Sequence, residues 1–358
     1  MKITDKYILK KYFGTFLGLM LLFVPISIVI DLAERMDKFI ENKVPLSAIL
    51  GYYQDFLLYF FNILFPIFLF LSVIWFTSRL AQNTEIIAIL NSGVSFMRLL
   101  KPYLIGASII AVVVLVLNFS VIPKARIGYN EFWVTYISKY KKVRETNDVY
   151  RQIDSTHYIY SSNMNHANNT AYNFIIEEIK NHKLKYRLFA DRIVWLKKEK
   201  KYRLHNVKER FYLKNKEKIS TRNVVDTILP FTFDDLTPLS YIAEGLNYFE
   251  LNKFIEKEKL RGSKNINQYI LEKHKRTTLP ISAFILTFIA VAVASQKKRS
   301  GIGYNLAFGI FVSLLYIFFD RVFGVLSIKS GFSPFWAAWL PNVIFGILAI
   351  YLIRHAKK

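Results

Sequence analysis

Few residues in this chain can carry out covalent chemistry. It has no cysteine, which removes disulfides, thiolate metal sites and a thiol nucleophile together. Its histidines (His157, His166, His182, His205, His274 and His355) are not spaced as metal ligands, and no pair of them supports acid–base catalysis. Glycines are sparse and no G-x-x-x-x-G-K-[ST] occurs, so the chain cannot cradle nucleotide phosphates with that loop. No catalytic residue, no metal and no cofactor is expected. What remains is charge in costly places. Asp320 and Arg321 lie at the end of an apolar run, where ions must pair, face water or snorkel to the interface. Glu85 opens a short amphipathic segment. Such groups can hold an amphiphile at a membrane or dock a protein groove.

The elements that position them are membrane spans. Six apolar stretches of bilayer length fall in two clusters of three: Tyr12–Ile30, Phe56–Phe76 and Pro102–Ile122, then Thr277–Ser295, Ile302–Phe319 and Phe332–Ile353. Short segments on one side carry Lys2, Lys6, Lys10, Lys11, Arg79, Arg98, Lys101, Lys297, Lys298, Arg299, Arg354, Lys357 and Lys358. Those on the other carry Arg35, Lys38 and Lys43, offset by Asp31, Glu34, Asp37 and Glu41, and then Lys329. The positive-inside rule therefore predicts both termini in the cytoplasm and the central block outside. The first stretch is too long for a secretory h-region, and Asp31-Leu32-Ala33-Glu34-Arg35 is no cleavage site. Trp75, Trp133, Trp336 and Trp339 fall near the expected membrane edges.

The block from 123 to 276 is polar, Lys- and Tyr-rich, and carries more than half of the net charge of +23. Outside a membrane the anionic partners for such a surface are lipid headgroups and phosphorylated glycolipids, not nucleic acid. A Lys-, Ile-, Asn- and Tyr-rich composition of the kind found in AT-rich genomes accounts for the charge equally well. Short alternating runs at Thr156–Tyr160, Tyr172–Ile179, Arg192–Leu196, Tyr202–Val207, Arg210–Leu213 and Val224–Phe233 predict a sandwich or rolled sheet with an open edge. Asn247–Leu260 switches to helical period, with Gly262 as its stop, and a short helix over Asn265–Lys275 leads into the fourth span.

Residues Ser78–Lys101 connect spans two and three. Asn83 or Thr84 is placed to cap a helix, Glu85 sits in its first turn, Ile86, Ile87, Ile89 and Leu90 follow, and Gly93 ends it. It reads either as an interfacial connector or as a coupling helix that enters a groove on a cytoplasmic partner.

In order along the chain stand Asp5-Lys6-Tyr7-Ile8, Thr84-Glu85-Ile86 through Ser92-Gly93 to Arg98, and Pro123. His274-Lys275-Arg276 with Pro280, Lys297-Lys298-Arg299, Asp320 with Phe323-Gly324, and Trp339-Leu340-Pro341-Asn342 follow. With these the sequence resembles, nearly end to end, the LptF/LptG (YjgP/YjgQ) permeases of the lipopolysaccharide-exporting ABC transporter; the closing segment leans toward LptG. The resemblance implies a six-helix membrane protein with transmembrane helices in 1–122 and 277–358, and a coupling helix at 83–93. A periplasmic β-jelly-roll-like domain would be inserted at 123–276, with a helical connector at 247–275.

It further implies an inner-membrane heterodimer with a sister permease, on a dimer of a separate cytoplasmic ABC ATPase, handing lipopolysaccharide to an LptC-like periplasmic bridge. Glu85, Ile86, Ile89, Leu90, Gly93 and Arg98 would then form the ATPase contact. Spans one and five would form a lateral gate, with Asp320 and Arg321 at the end of span five. LptG chains can carry a lysine near the outer end of span one, and here the position is Asp31. Arg35, Lys38, Lys124 and Arg126 are the basic residues that could meet lipid A phosphates instead. Two other functions would leave other marks. An enzyme modifying lipid headgroups needs clustered Asp, Glu, His or Ser at one membrane face, and a membrane-anchored scaffold would not need the amphipathic segment at Glu85.

Overall fold

A computed structural model describes residues 2–137, 146–166, 168–196, 199–213, 216–232, 236–237, 241–296 and 301–356. Lys297, Lys298, Arg299, Lys357 and Lys358 of the expected inner charge, and Phe233 of the last expected strand, lie outside them. The chain divides into two units, one built from helices and one from a sheet.

Among the described residues six helices of the first unit are long and apolar enough to cross a membrane: α1 Ile3–Glu41, α2 Leu46–Gln82, α4 Phe96–Ile137, α7 Ile266–Ala294, α8 Gly301–Ser330 and α9 Pro334–Ala356. The short α3, Glu85–Asn91, joins α2 to α4. Most of the six run well past their apolar stretches. At 1.5 Å per residue the 39 residues of α1 reach about 58 Å, nearly twice the hydrocarbon thickness. The charged turns after Ile30 do not break α1, because Leu32, Ala33, Glu34, Arg35 and Met36 are acceptable helix formers. Its last turns also bury Phe39 against Tyr52 and Phe132. α4 likewise continues through Pro123, with five-residue π turns at Leu117–Val121 and Trp133–Ile137. The short helix expected before span four is simply the start of α7, whose charged turn Glu272–Arg276 stays helical.

Polar side chains fix helix register in the apolar bundle, where side-chain hydrogen bonds act as glue. The Tyr12 and Thr287 hydroxyls lie 2.9 Å apart and those of Thr77 and Tyr103 3.0 Å apart, while Asn305 donates to Ser78 at 2.9 Å. Asn342 accepts from Tyr316 at 3.0 Å and donates to the Thr278 carbonyl at 3.0 Å. The most enclosed span, α7, presents the fully buried Ala283, Ala290 and Ala294, small enough for neighbouring helices to approach closely.

The second unit holds one six-stranded antiparallel sheet: β1 Asn147–Gln152, β2 His157–Asn165, β3 Thr170–Lys180, β4 Lys183–Leu196, β5 Lys201–Tyr212 and β6 Glu217–Thr227. Strand order is sequential and the sheet is not closed. Its core joins Val149, Ile159, Phe174, Leu188, Ile193, Tyr202, Leu204 and Val207 to Phe231 and Leu236 from the segment after β6. Tyr202 donates to the Phe231 carbonyl at 2.8 Å and Arg151 to that of Leu236 at 2.7 Å. Helix α6, Tyr248–Leu260, buries Leu251 and Ile255 and stops at Gly262, whose φ of +66° suits glycine. The helix α5, Ile242–Gly245, precedes it.

A crease crosses the whole sheet. Regular pairs flank, but do not include, the row Asp148, Ser162, Asn173, Asp191, Asn206 and Asn223. Buried residues on either side of it (Ser161 and Met164, Ala171 and Phe174, Ala190 and Ile193, Leu204 and Val207) are three apart, where an unbroken strand alternates by two. Asp148, Asn173 and Asn206 take positive φ of 50°, 47° and 54°, which Asp and Asn tolerate best among non-glycine residues. Asn173 donates to Ser162 at 3.0 Å and Asn206 to Asp191 at 2.8 Å.

The crease explains part of how the sequence pattern broke. Arg192–Leu196 is the second half of β4, interrupted at Asp191. Tyr202–Val207 and nearly all of Arg210–Leu213 are instead one strand, β5, whose crease at Asn206 lies within the first run and whose apparent gap is the charged pair Lys208 and Glu209. β1 is too short and polar to show an alternation. Asn206→Val, a β-branched residue at positive φ, is expected to destabilise the sheet by about 2 kcal/mol. Asn206→Gly should be nearly neutral. Limited proteolysis of the two variants side by side measures the difference.

Candidate functional site

Three places gather the residues that the sequence singles out. The first is the turn around α3. Thr84, at its N-cap, has a φ of +61°, so its hydroxyl donates back to the Asn83 carbonyl at 2.6 Å instead of capping the helix. Asn83 donates its amide to Glu85 at 3.3 Å. Thr84 thus holds the N-cap position that the sequence led us to expect, but its left-handed backbone turns the hydroxyl to Asn83 and the helix has no side-chain capping bond there. Ile86 roots α3 in the bundle core at 1% exposure, Ile89 and Leu90 are half-buried, and Ile87 and Gly93 are exposed. Gly93 has a φ of +85°, where a side chain would be strained. Arg98 is occupied within the chain. Its guanidinium makes a bidentate pair with buried Asp5, at 3.0 and 2.8 Å, and so clamps the start of α4 to the start of α1.

The second place is where α1, α2 and α4 meet. Asp31, 4% exposed, accepts from Tyr52 at 2.9 Å and pairs with Arg35 one turn on. The Arg35 guanidinium lies 4.3 Å from the centre of the Trp133 ring, a cation–π contact. Tyr52 in turn stacks on Phe132 with centroids 4.3 Å apart. Asp31 and Arg35 thus consume one another, while Lys38 on the next turn is exposed and makes no ion pair among the described residues.

The third is a cavity of about 240 Å³ among α2, α4, α7 and α8. Asn62 and Asn118 exchange amide hydrogen bonds of 3.2 Å at its wall, with Asn118 carried on the π turn of α4. Arg126 pairs with Glu244 at 3.1 Å and Glu272 at 3.4 Å, and stacks 4.7 Å from the Tyr59 ring centre. Lys275 pairs with Asp320 at 2.7 Å. Asp320 and Arg321 therefore part company: the acid turns to α7, while Arg321 is exposed at the cavity and has no ion pair among the described residues. Lys124 is also exposed and without an ion pair among them. Of the basic residues singled out, Arg35 and Arg126 hold the protein together, and Lys38, Lys124 and Arg321 face outward.

Sequence reasoning missed Asn62, Asn118, Glu244 and Glu272, and it gave Lys275 no role. An asparagine inside an apolar run is a signal for Asn62 and Asn118, since amides are costly there unless paired. Nothing in sequence announces that Glu244, far along the chain, meets Arg126. The cavity offers balanced donors and acceptors that suit water or a polar headgroup. Among the described residues no group of three or more His, Cys, Asp or Glu could hold a metal ion.

A family model described as "Lipopolysaccharide export system permease LptF/LptG" matches residues 6–355. No curated protein matches the chain.

Proposed function

The chain belongs to the LptF/LptG family of lipopolysaccharide export permeases, and we propose on that footing that it is the membrane-moving half of an ATP-driven extractor. It is a multi-pass inner-membrane permease with a periplasmic sheet domain, and not an enzyme. We infer that both termini face the cytoplasm, as the loop charges require. A cytoplasmic ATPase dimer would receive α3 in a groove, with Glu85 meeting a basic residue there. A sister permease would complete the bundle. The exposed apolar faces of α1 (Leu17, Leu21, Leu22) and α8 (Phe311, Leu314, Phe318) suit lipid acyl chains and that partner. Lipopolysaccharide would enter between these two spans, its phosphates held by Lys38, Lys124 and Arg321. ATP binding would then squeeze it toward the sheet domain and a bridge protein of the LptC kind.

The observation that carries this reading is the match over nearly the whole chain. The amphipathic α3 favours it over a passive anchor. Purification in mild detergent is expected to co-elute an ATPase and a second permease in fixed ratio. A chain that elutes alone, with full recovery of fold, would contradict it.

A further inference from the structure

Five residues inside the sheet insertion pack with the membrane helices. Glu244–Tyr248 belongs to the helical unit, although Ala243 before it and Phe249 after it belong to the sheet unit. Arg276 of α7 donates to the Glu244 carbonyl at 3.5 Å, and the side-chain attachments are to α4. Glu244 pairs with Arg126, and Tyr248 stacks on Phe119 with centroids 4.5 Å apart and planes 5° from parallel. A Cβ on Gly245 would lie 2.3 Å from Ile127 Cγ1, so the Ile127 side chain packs onto the glycine backbone and would have to shift for any larger residue. Burial holds the Glu244 carboxyl above its ordinary range, an effect that the Arg126 charge offsets only in part. Arg126 also holds Glu272 at the start of α7, so one guanidinium ties α4, α7 and the segment together.

α4 is well placed to be a lever. It starts at Phe96, five residues after α3 ends, and its 42 residues extend about 63 Å to Ile137. Phe119 sits in its first π turn, a distortion often kept where a helix does work. The near end is thus joined to the proposed ATPase contact, and the far half grips Glu244–Tyr248.

We propose that Glu244–Tyr248 is a tether that stays docked on α4 throughout the transport cycle and carries its movement into the sheet domain. Arg126, Phe119, Ile127 and Gly245 are its positioning residues. The tether rests on the export reading only for what is transported, not for the docking itself.

The chain has no cysteine, so an engineered pair is unambiguous. A Gly245 Cβ would lie 3.7 Å from Ile127 Cβ, within the range of disulfides. In the assembled complex, Ile127→Cys with Gly245→Cys should crosslink equally without nucleotide, with ATP bound, and with ADP and vanadate trapped after hydrolysis. The crosslinked complex should export within about twofold of wild type. Gly245→Val should lower lipopolysaccharide release at least tenfold while ATP hydrolysis continues, and Ile127→Ala added to it should restore release by making room. Loss of the crosslink on ATP binding, export blocked by the crosslink, or normal export by Gly245→Val would each overturn the tether. Crosslinking needs no cargo. A double-cysteine complex that crosslinks in all of these states, beside a wild-type complex that releases no lipopolysaccharide, would overturn the export reading instead.

Discussion

Asp31→Ala is expected to lower stability by about 3 kcal/mol, because it removes one partner of a largely buried ion pair and leaves the other charged. Arg35 is 14% exposed and Asp31 5% exposed at their side chains. Tyr52 would lose its acceptor at the same time, at the centre of the ring cluster of Phe39, Phe56 and Phe132. Asp31→Asn should fall between the two, since the amide oxygen can still accept from Tyr52 while the charge is gone. Melting midpoints in detergent order the three proteins. If Asp31→Ala melts with wild type, the network is ornamental, and Asp31 becomes available for another role. Exposed Lys38→Ala, by contrast, should leave the midpoint unchanged and reduce lipid binding.

Glu85→Lys is expected to uncouple the transporter. On the proposed reading Glu85 meets a cation in the ATPase groove, and a lysine there places like charges face to face, a penalty of several kcal/mol in a docked interface. Lipopolysaccharide release should fall at least tenfold, while the chain still inserts and folds, since the Glu85 side chain meets Asn83 at 3.3 Å and the exposed Tyr7 of α1, and neither contact reaches the core. Ile86→Asp is a different defect, because Ile86 is buried in the bundle and its loss should unseat α3 itself. Export assayed beside membrane abundance separates the two. Unchanged export by Glu85→Lys would remove Glu85 from the coupling contact.

Reading the sequence located the spans because an apolar run of bilayer length has few alternative explanations. It located the sheet domain because alternation survives in most of β2 to β5. Its failures have physical causes. Helix ends were placed too early, since the apolar count stops at Ile30 while helix propensity and the burial of Phe39 carry α1 to Glu41. β4 was read only from beyond Asp191, where the crease shifts which residues point inward, and β5 was cut between Val207 and Arg210, where Lys208 and Glu209 interrupt the apolar alternation. Charged residues were legible as charges but not as partners. Arg126 reads as a free cation in sequence, and only the fold brings it to Glu244 and Glu272. Asp31 reads as a departure from an expected lysine, and the fold shows it holding Arg35 and Tyr52.

The most direct test of ATP-driven lipopolysaccharide export places a photo-crosslinking side chain at Trp195 or Val225, half-buried at the edge of the sheet core. The complex is reconstituted with its ATPase and sister permease in vesicles containing lipopolysaccharide. Adducts at these positions should accumulate with ATP and be near background without it. Equal labelling in both conditions, or none in either while ATP is hydrolysed, would contradict the account.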